Sequence, residues 1–142
     1  MNVTMKKFGY PETLVREFEK WVVLLRPKQV TLGALVLVCT EQATAFSSLS
    51  QEAFAELREV TQQIEWGLSR GFSFDKLNYL MLMMVDPDVH FHVLPRYAQS
   101  RSFAGSEFHD LGWPGPPDLV QANKTDTKVN RAILAHLHAV WG

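Results

Sequence analysis

A single cysteine in 142 residues, Cys39, excludes an internal disulfide framework and any cysteine-rich zinc module, and it makes the cytosol the expected compartment. Neither sign of charge is in excess. Lys and Arg number 14 against 15 Asp and Glu, a formal net charge of -1, so no global basic field exists to hold nucleic acid or an anionic membrane. No apolar run reaches the length of a membrane span. The opening Met1-Asn2-Val3-Thr4-Met5-Lys6-Lys7 passes into Phe8-Gly9-Tyr10-Pro11 rather than into the apolar core of an export signal. Internal repeats and low-complexity tracts are absent as well. What remains is 46% hydrophobic and 20% charged, the balance of one globular domain across residues 1–142. Its core is expected over about 10–97, with an irregular arm and a last helix over 98–142.

Local patterns suggest the elements. Pro11 suits the first turn of a short helix carrying Leu14, Val15 and Phe18, with Glu12 near its positive end. Residues 21–25 and 34–39 are apolar, rich in β-branched side chains and bounded by Pro27 and Gly33, as strands buried on both faces would be. From Ser50 the period becomes helical. Phe54, Leu57, Ile64 and Leu68 form a stripe completed by Thr61; Ser50 serves as N-cap, Leu49 as a staple on Phe54 and Gly71 as the stop. Residues 76–85 and 89–94 read as strands of an antiparallel hairpin around Asp86-Pro87-Asp88. Beyond Arg96 the cluster Trp113-Pro114-Gly115-Pro116-Pro117 forbids regular structure, and Asp126 can cap a final helix with the stripe Val129, Ile133, Leu137 and Val140.

The chemistry concentrates in Asp88-Val89-His90-Phe91-His92-Val93-Leu94. A strand period of two puts Val89, Phe91 and Val93 under the helix and leaves Asp88, His90 and His92 on the other face, the imidazoles roughly 7 Å apart at Cβ. Pairing Val85 with Val89 would set Leu80, Leu82 and Met84 beside the histidines and Asn78 across from Arg96. Asp-x-His-x-His also presents two imidazoles and a carboxylate on one face, the beginning of a metal site, for which His109 is the fourth candidate outside the last helix. Arg26, Lys28 and Arg96 are possible phosphate contacts. His109 and Asp110 in the arm could close over a pocket or face water. His136 and His138 read as surface, Trp113 as packing, Met81, Met83 and Met84 as core or pocket lining, and Cys39 as an inert buried thiol.

His90-Phe91-His92-Val93-Leu94-Pro95-Arg96 resembles the signature of the histidine triad, or HIT, family, and the order of elements from about Trp21 to Trp113 is similar to that family's. The resemblance implies an α+β fold, a five-stranded antiparallel sheet carrying helices, and a homodimer that joins two such sheets. It implies a nucleotide hydrolase or transferase acting at an α-phosphate of a dinucleoside polyphosphate or nucleoside phosphoramidate, without a cofactor. By the same resemblance His90 matches the nucleophile, His92 the third histidine, and Asn78 an asparagine that helps place the phosphate. Two departures stand out. Asp88 occupies the position of the first histidine, and Met83-Met84-Val85 replaces the usual Gly-Gln-Ser or Gly-Gln-Thr. An ionised Asp88 about 5 Å from a phosphate would cost about 3 kcal/mol at an effective dielectric near 20. It must therefore weaken nucleotide binding unless it turns away or orients the imidazolium that forms in the transition state. The alternatives to a nucleotidyl enzyme are a nucleotide-binding or partner-binding module and a metal-dependent enzyme at Asp-x-His-x-His.

Overall fold

The structure, a computed structural model, describes residues 1–141. A short helix α1 (Val3–Lys7) opens the chain, followed by β1 (Leu14–Glu17), β2 (Trp21–Leu25), β3 (Leu35–Cys39) and the long helix α2 (Gln51–Phe72). Next come β4 (Lys76–Leu80), β5 (His90–Arg96), the small hairpin β6 (Arg101–Phe103) and β7 (Ser106–Phe108), and α3 (Thr127–Trp141). Five strands form one sheet in the order β1-β2-β3-β5-β4, antiparallel at every pairing.

The sheet is covered on both faces, and alternation along its central strands decides what goes where. Trp21, Val23, Leu25, Leu35, Leu37, Cys39 and Val93 pack in one cluster with Ala53, Val60, Ile64 and Leu68 of α2 and Ile133 and Leu137 of α3. Val22, Leu24, Val36 and Val38 point the opposite way, onto Met5 and Phe8. Every residue of β2 and β3 is buried for that reason. Asn2 caps α1 by accepting from the Met5 N–H, and its Nδ2 donates 2.9 Å to the Cys39 carbonyl, fixing the helix to β3.

Several expectations are corrected. The segment after Pro11 is not a helix: residues 14–17 pair with β2, with a register irregularity between Leu14 and Arg16. Ladder bonds to a fully buried neighbour outweigh the local helical signal of so short a stretch. Gly71 does not stop α2, which runs through Phe72 and ends at Ser73, left-handed at φ 50. Bare Gly67 and Gly71 instead let α3 come close, since a Cβ on Gly67 would stand 2.5 Å from the Trp141 ring. Phe54 is mostly outside the core and stacks on Phe46 at 5.4 Å, while Ala53 and Val60 take the buried face. Ser50 does cap α2, accepting from the Ala53 N–H at 3.1 Å, and Asp126 caps α3 through the Val129 N–H at 2.8 Å.

His136 and His138 are not simply surface groups. The Nε2 of His136 donates to the Gly71 carbonyl and that of His138 to the Leu14 carbonyl, both at 2.8 Å, tying α3 to α2 and to the outer strand.

The hairpin that carries the histidines has the expected parity and a different register. Asn78 lies opposite Leu94, Leu80 opposite His92 and Lys76 opposite Arg96, a slip of two residues from the Val85–Val89 pairing. β4 ends at Leu80, and residues 81–89 form a loop in which Met83 has φ 53. A shift of two preserves which side chains share a face, so Leu80 still accompanies the histidines.

Candidate active site

β5 places its histidines by pairing with β3, His90 opposite Val38 and His92 opposite Val36, on the face that α1 covers. Their rings stand 5.3 Å apart and nearly perpendicular. Phe8, at the end of α1, lies 6.2 Å from the His90 ring and 6.0 Å from that of His92. Both imidazoles reach a cavity of about 470 Å³ lined also by Lys7, Arg26, Lys28, Asp86 and the loop residues 82–85. The expected pairing of His90 and His92 on one face beside an opening is therefore what the structure contains.

Asp88 is buried, and its carboxylate turns to α1. Oδ2 accepts from the Thr4 hydroxyl at 2.9 Å and from the Thr4 N–H at 3.2 Å, while the Asp88 N–H donates back to the Thr4 Oγ1 at 3.3 Å. Its main-chain carbonyl accepts from His90 Nδ1 at 2.6 Å. Because a carbonyl can only accept, Nδ1 carries a proton, and in the neutral ring this is the tautomer that leaves the lone pair on Nε2. Asp88 is absent from the cavity wall. Of the alternatives the sequence leaves open, the carboxylate takes the one of turning away, toward Thr4.

His92 is 8% exposed, and its Nδ1 has no hydrogen-bond partner. Burial, with lesser contributions from the Arg26 and His90 charges, pulls its pKa from 6.5 down to about 4. The ring is neutral near pH 7. An NMR titration should show His92 changing state near pH 4, and its linkage to folding has a definite sign. The unfolded chain takes up this proton near pH 6.5, so stability is fully present above 6.5 and falls as the pH drops from there toward 4. A His92→Gln variant should lose that part of the acid dependence in denaturant midpoints.

Three cationic side chains line the cavity against one anionic, Lys7, Arg26 and Lys28 against Asp86. Lys7 Nζ is 2.7 Å from Asp86 Oδ1. Arg26 is buried enough to lower its pKa; its Nη1 donates 2.7 Å to the Lys28 carbonyl, and its Nε is buried with no partner in the protein. Arg26 shares the cavity wall with both imidazoles, so its guanidinium adds positive charge where an oxyanion would bind. Arg26 and Lys28 were visible in the sequence as candidates. Lys7 and Phe8 were not, since no signal ties an amino-terminal pair to a strand eighty residues on.

Asn78 and Arg96 sit elsewhere than expected. Arg96 is buried, and its Nε and Nη2 bond Asp110 at 2.7 and 3.0 Å, its Nη1 the Asn78 Oδ1 at 2.8 Å, and its Nη2 also the Gly115 carbonyl at 3.0 Å. Neither residue lines the cavity. Asp110, expected to cover a pocket or face water, instead clamps the arm to β5. Asn123 continues that fastening, donating to the Gln29 and His109 carbonyls. His109 is exposed, 3.9 Å from Glu107. The Asp-x-His-x-His metal reading is not matched by the geometry: the Asp88 carboxylate is spent on Thr4, and among the described residues no three His, Cys, Asp or Glu groups gather as a metal set. Cys39 is buried with its thiol pKa raised by burial, as an inert thiol would be.

The chain is thus an α+β protein whose antiparallel sheet presents two alternating histidines to a cavity with three cationic side chains in its wall. Residues 7–99 are matched by the HIT domain family, and the chain belongs to that family. Comparison with curated proteins gives no match. Among solved structures the chain is similar to a histidine triad protein of Sinorhizobium meliloti, at 18% identity, TM-score 0.76, and coverage of 98% of this chain and 94% of that one. A histidine triad protein of Bradyrhizobium japonicum has 18% identity, TM-score 0.76, and coverage of 100% and 97%. One from Marinobacter aquaeolei has 19% identity, TM-score 0.75, and coverage of 99% and 94%. Family membership implies nucleotide binding or nucleotide hydrolase or transferase activity. Among the described residues no helix is long and apolar enough to cross a membrane.

Proposed function

We propose that this protein is a nucleotidyl hydrolase or transferase that attacks the α-phosphate of a dinucleoside polyphosphate or nucleoside phosphoramidate through a nucleotidyl-His90 intermediate. The observation that carries the reading is the 2.6 Å bond from His90 Nδ1 to the Asp88 carbonyl, which in the neutral ring selects the tautomer with its lone pair on Nε2, beside a cavity lined by Lys7, Arg26 and Lys28. Nε2 forms the bond to phosphorus while the bond to the leaving group breaks, and the leaving group departs with the electron pair. The cation that develops on the ring keeps its Nδ1 proton on the Asp88 carbonyl. Water then bonds to phosphorus as the nitrogen–phosphorus bond breaks; the electron pair returns to Nε2, leaving His90 neutral, and the proton lost by the water passes to solvent, balancing the anionic leaving group of the first step.

Position and charge supply most of what phosphoryl transfer requires. Lys7 joins Arg26 and Lys28 in the phosphate contacts, in place of Arg96 and of the Asn78 that the family resemblance implied. His92, neutral and with no acceptor at Nδ1, carries its proton on Nε2 and donates it as a hydrogen bond to a phosphate or bridging oxygen. Asp88, in the place of the family's first histidine, supports the nucleophile through its main chain and needs no side-chain contact with substrate. The reading includes a cytosolic homodimer formed by residues 1–142 as one domain and calls for no cofactor.

The test is chemical. Incubation with an adenylylated substrate, an alkaline quench and mass spectrometry should show an adenylyl mass on the peptide containing His90, since a nitrogen–phosphorus bond survives base. Tight AMP binding with no such mass and no product from any adenylylated substrate would replace the enzyme reading with a binding module.

A further inference from the structure

Thr4 has no place in the signature that identified the site, and it lies outside the residues 7–99 that the family matches. Yet it is the side chain most closely engaged with Asp88. Its hydroxyl donates to Asp88 Oδ2 at 2.9 Å and accepts from the Asp88 N–H at 3.3 Å, and its own N–H donates to the same Oδ2 at 3.2 Å. Three bonds thus hold both the side chain and the amide of the residue whose carbonyl, 2.6 Å from His90 Nδ1, sets the nucleophile's tautomer. The cluster is closed to water: Thr4 is 1% and Asp88 6% exposed. Buried reciprocal bonds of this kind fix one arrangement because breaking any of them strands a polar group without solvent.

The rest of α1 is organised around this contact. Asn2 anchors the helix to the Cys39 carbonyl, Phe8 packs beside both imidazoles, and Lys7 reaches the cavity wall. Resting on the nucleophilic role given above to His90, we propose that Thr4 is a positioning residue of the reaction: by holding the Asp88 carboxylate and N–H it fixes the orientation of that residue, so that its carbonyl, in the following peptide unit, holds the proton of His90 on Nδ1. The amino-terminal helix is then a working wall of the active site.

A purely structural Thr4 would fasten α1 without affecting the ring, so the deciding measurement is the tautomer. Nitrogen-15 NMR of the free protein should show His90 fixed with its proton on Nδ1, and in Thr4→Val the ring should become a mixture of tautomers. With an adenylylated substrate, Thr4→Val should lower kcat about tenfold and leave KM within about twofold, because loss of aim at the reacting atom affects the chemical step rather than binding. Thr4→Ser, which keeps the hydroxyl, should restore both tautomer and kcat. If Thr4→Val does not fold, Thr4→Ala is compared with Thr4→Ser in its place. A fixed Nδ1 tautomer in the valine or alanine variant overturns the proposal, as does a serine variant no better than valine. The NMR comparison needs no substrate, so it decides the role of Thr4 even if the wild-type protein forms no adenylyl-His90, an outcome that would sink the enzymatic reading instead.

Discussion

Replacing His90 with alanine is expected to lower kcat by about four orders of magnitude or more and to abolish the adenylylated peptide, while substrate affinity changes by only a few-fold. The size follows from what is removed. A covalent mechanism without its nucleophile falls back on whatever rate the oriented, charge-neutralised phosphate retains toward water, and nucleophile deletions in other covalent enzymes lose this much or more. Affinity survives because Lys7, Arg26 and Lys28 remain on the cavity wall. His92→Ala should be milder, about a hundredfold, since a positioned donor contributes less than the atom that forms the bond. Equal losses in the two variants would mean that the imidazoles act as a pair on a bound water, and turnover unchanged in His90→Ala would remove the nucleophile assignment altogether. Rapid-quench kinetics on folded variants, with AMP binding measured in parallel, separates these cases.

Asp110→Ala is expected to destabilise the fold by about 3–5 kcal/mol, on the order of 10 °C in Tm. Side-chain exposures of 5% for Arg96 and 1% for Asp110 put this ion pair out of water. Removing the carboxylate leaves the guanidinium with only the neutral Asn78 and Gly115 oxygens, and it also strips the Tyr97 N–H of its acceptor. The cost is that of a stranded charge rather than the worth of the pair. Arg96→Met combined with Asp110→Leu should therefore recover most of the loss in urea midpoints. If the single variant is as stable as wild type, Arg96 must have reached solvent or another acceptor, and the arm would not depend on this clamp.

How much of this was legible in the sequence depends on the range of the interaction. The period of two through Val89, His90, Phe91, His92 and Val93 is local, and it placed both imidazoles on one face correctly. The capping of α2 by Ser50 and of α3 by Asp126 is equally local and equally visible. Failures begin where a distant partner decides. Residues 14–17 carry a helical signal that pairing with β2 overrides, and Gly71 looks like a stop until α3 is seen packed on it. The two-residue slip of β4 against β5 comes from a loop, not a tight turn, after Leu80. Arg96 follows the histidines in the chain and so reads as a phosphate contact, but Asp110 claims it from the arm. Lys7 and Thr4 belong to a five-residue helix, capped by Phe8, whose purpose is visible only once it lies across the sheet.

The loop between β4 and β5 carries one further consequence. Met84 is 84% and Val85 81% exposed at the rim of the cavity, whereas the sole thiol is sealed inside β3. A peroxide arriving at the mouth of this site therefore encounters a thioether. Sulfoxidation there would turn a greasy rim polar beside the entrance, and it is a lesion that reductase enzymes reverse, unlike the sulfinic and sulfonic acids that an accessible thiol can accumulate. Oxidative injury at this entrance is by construction of the repairable kind.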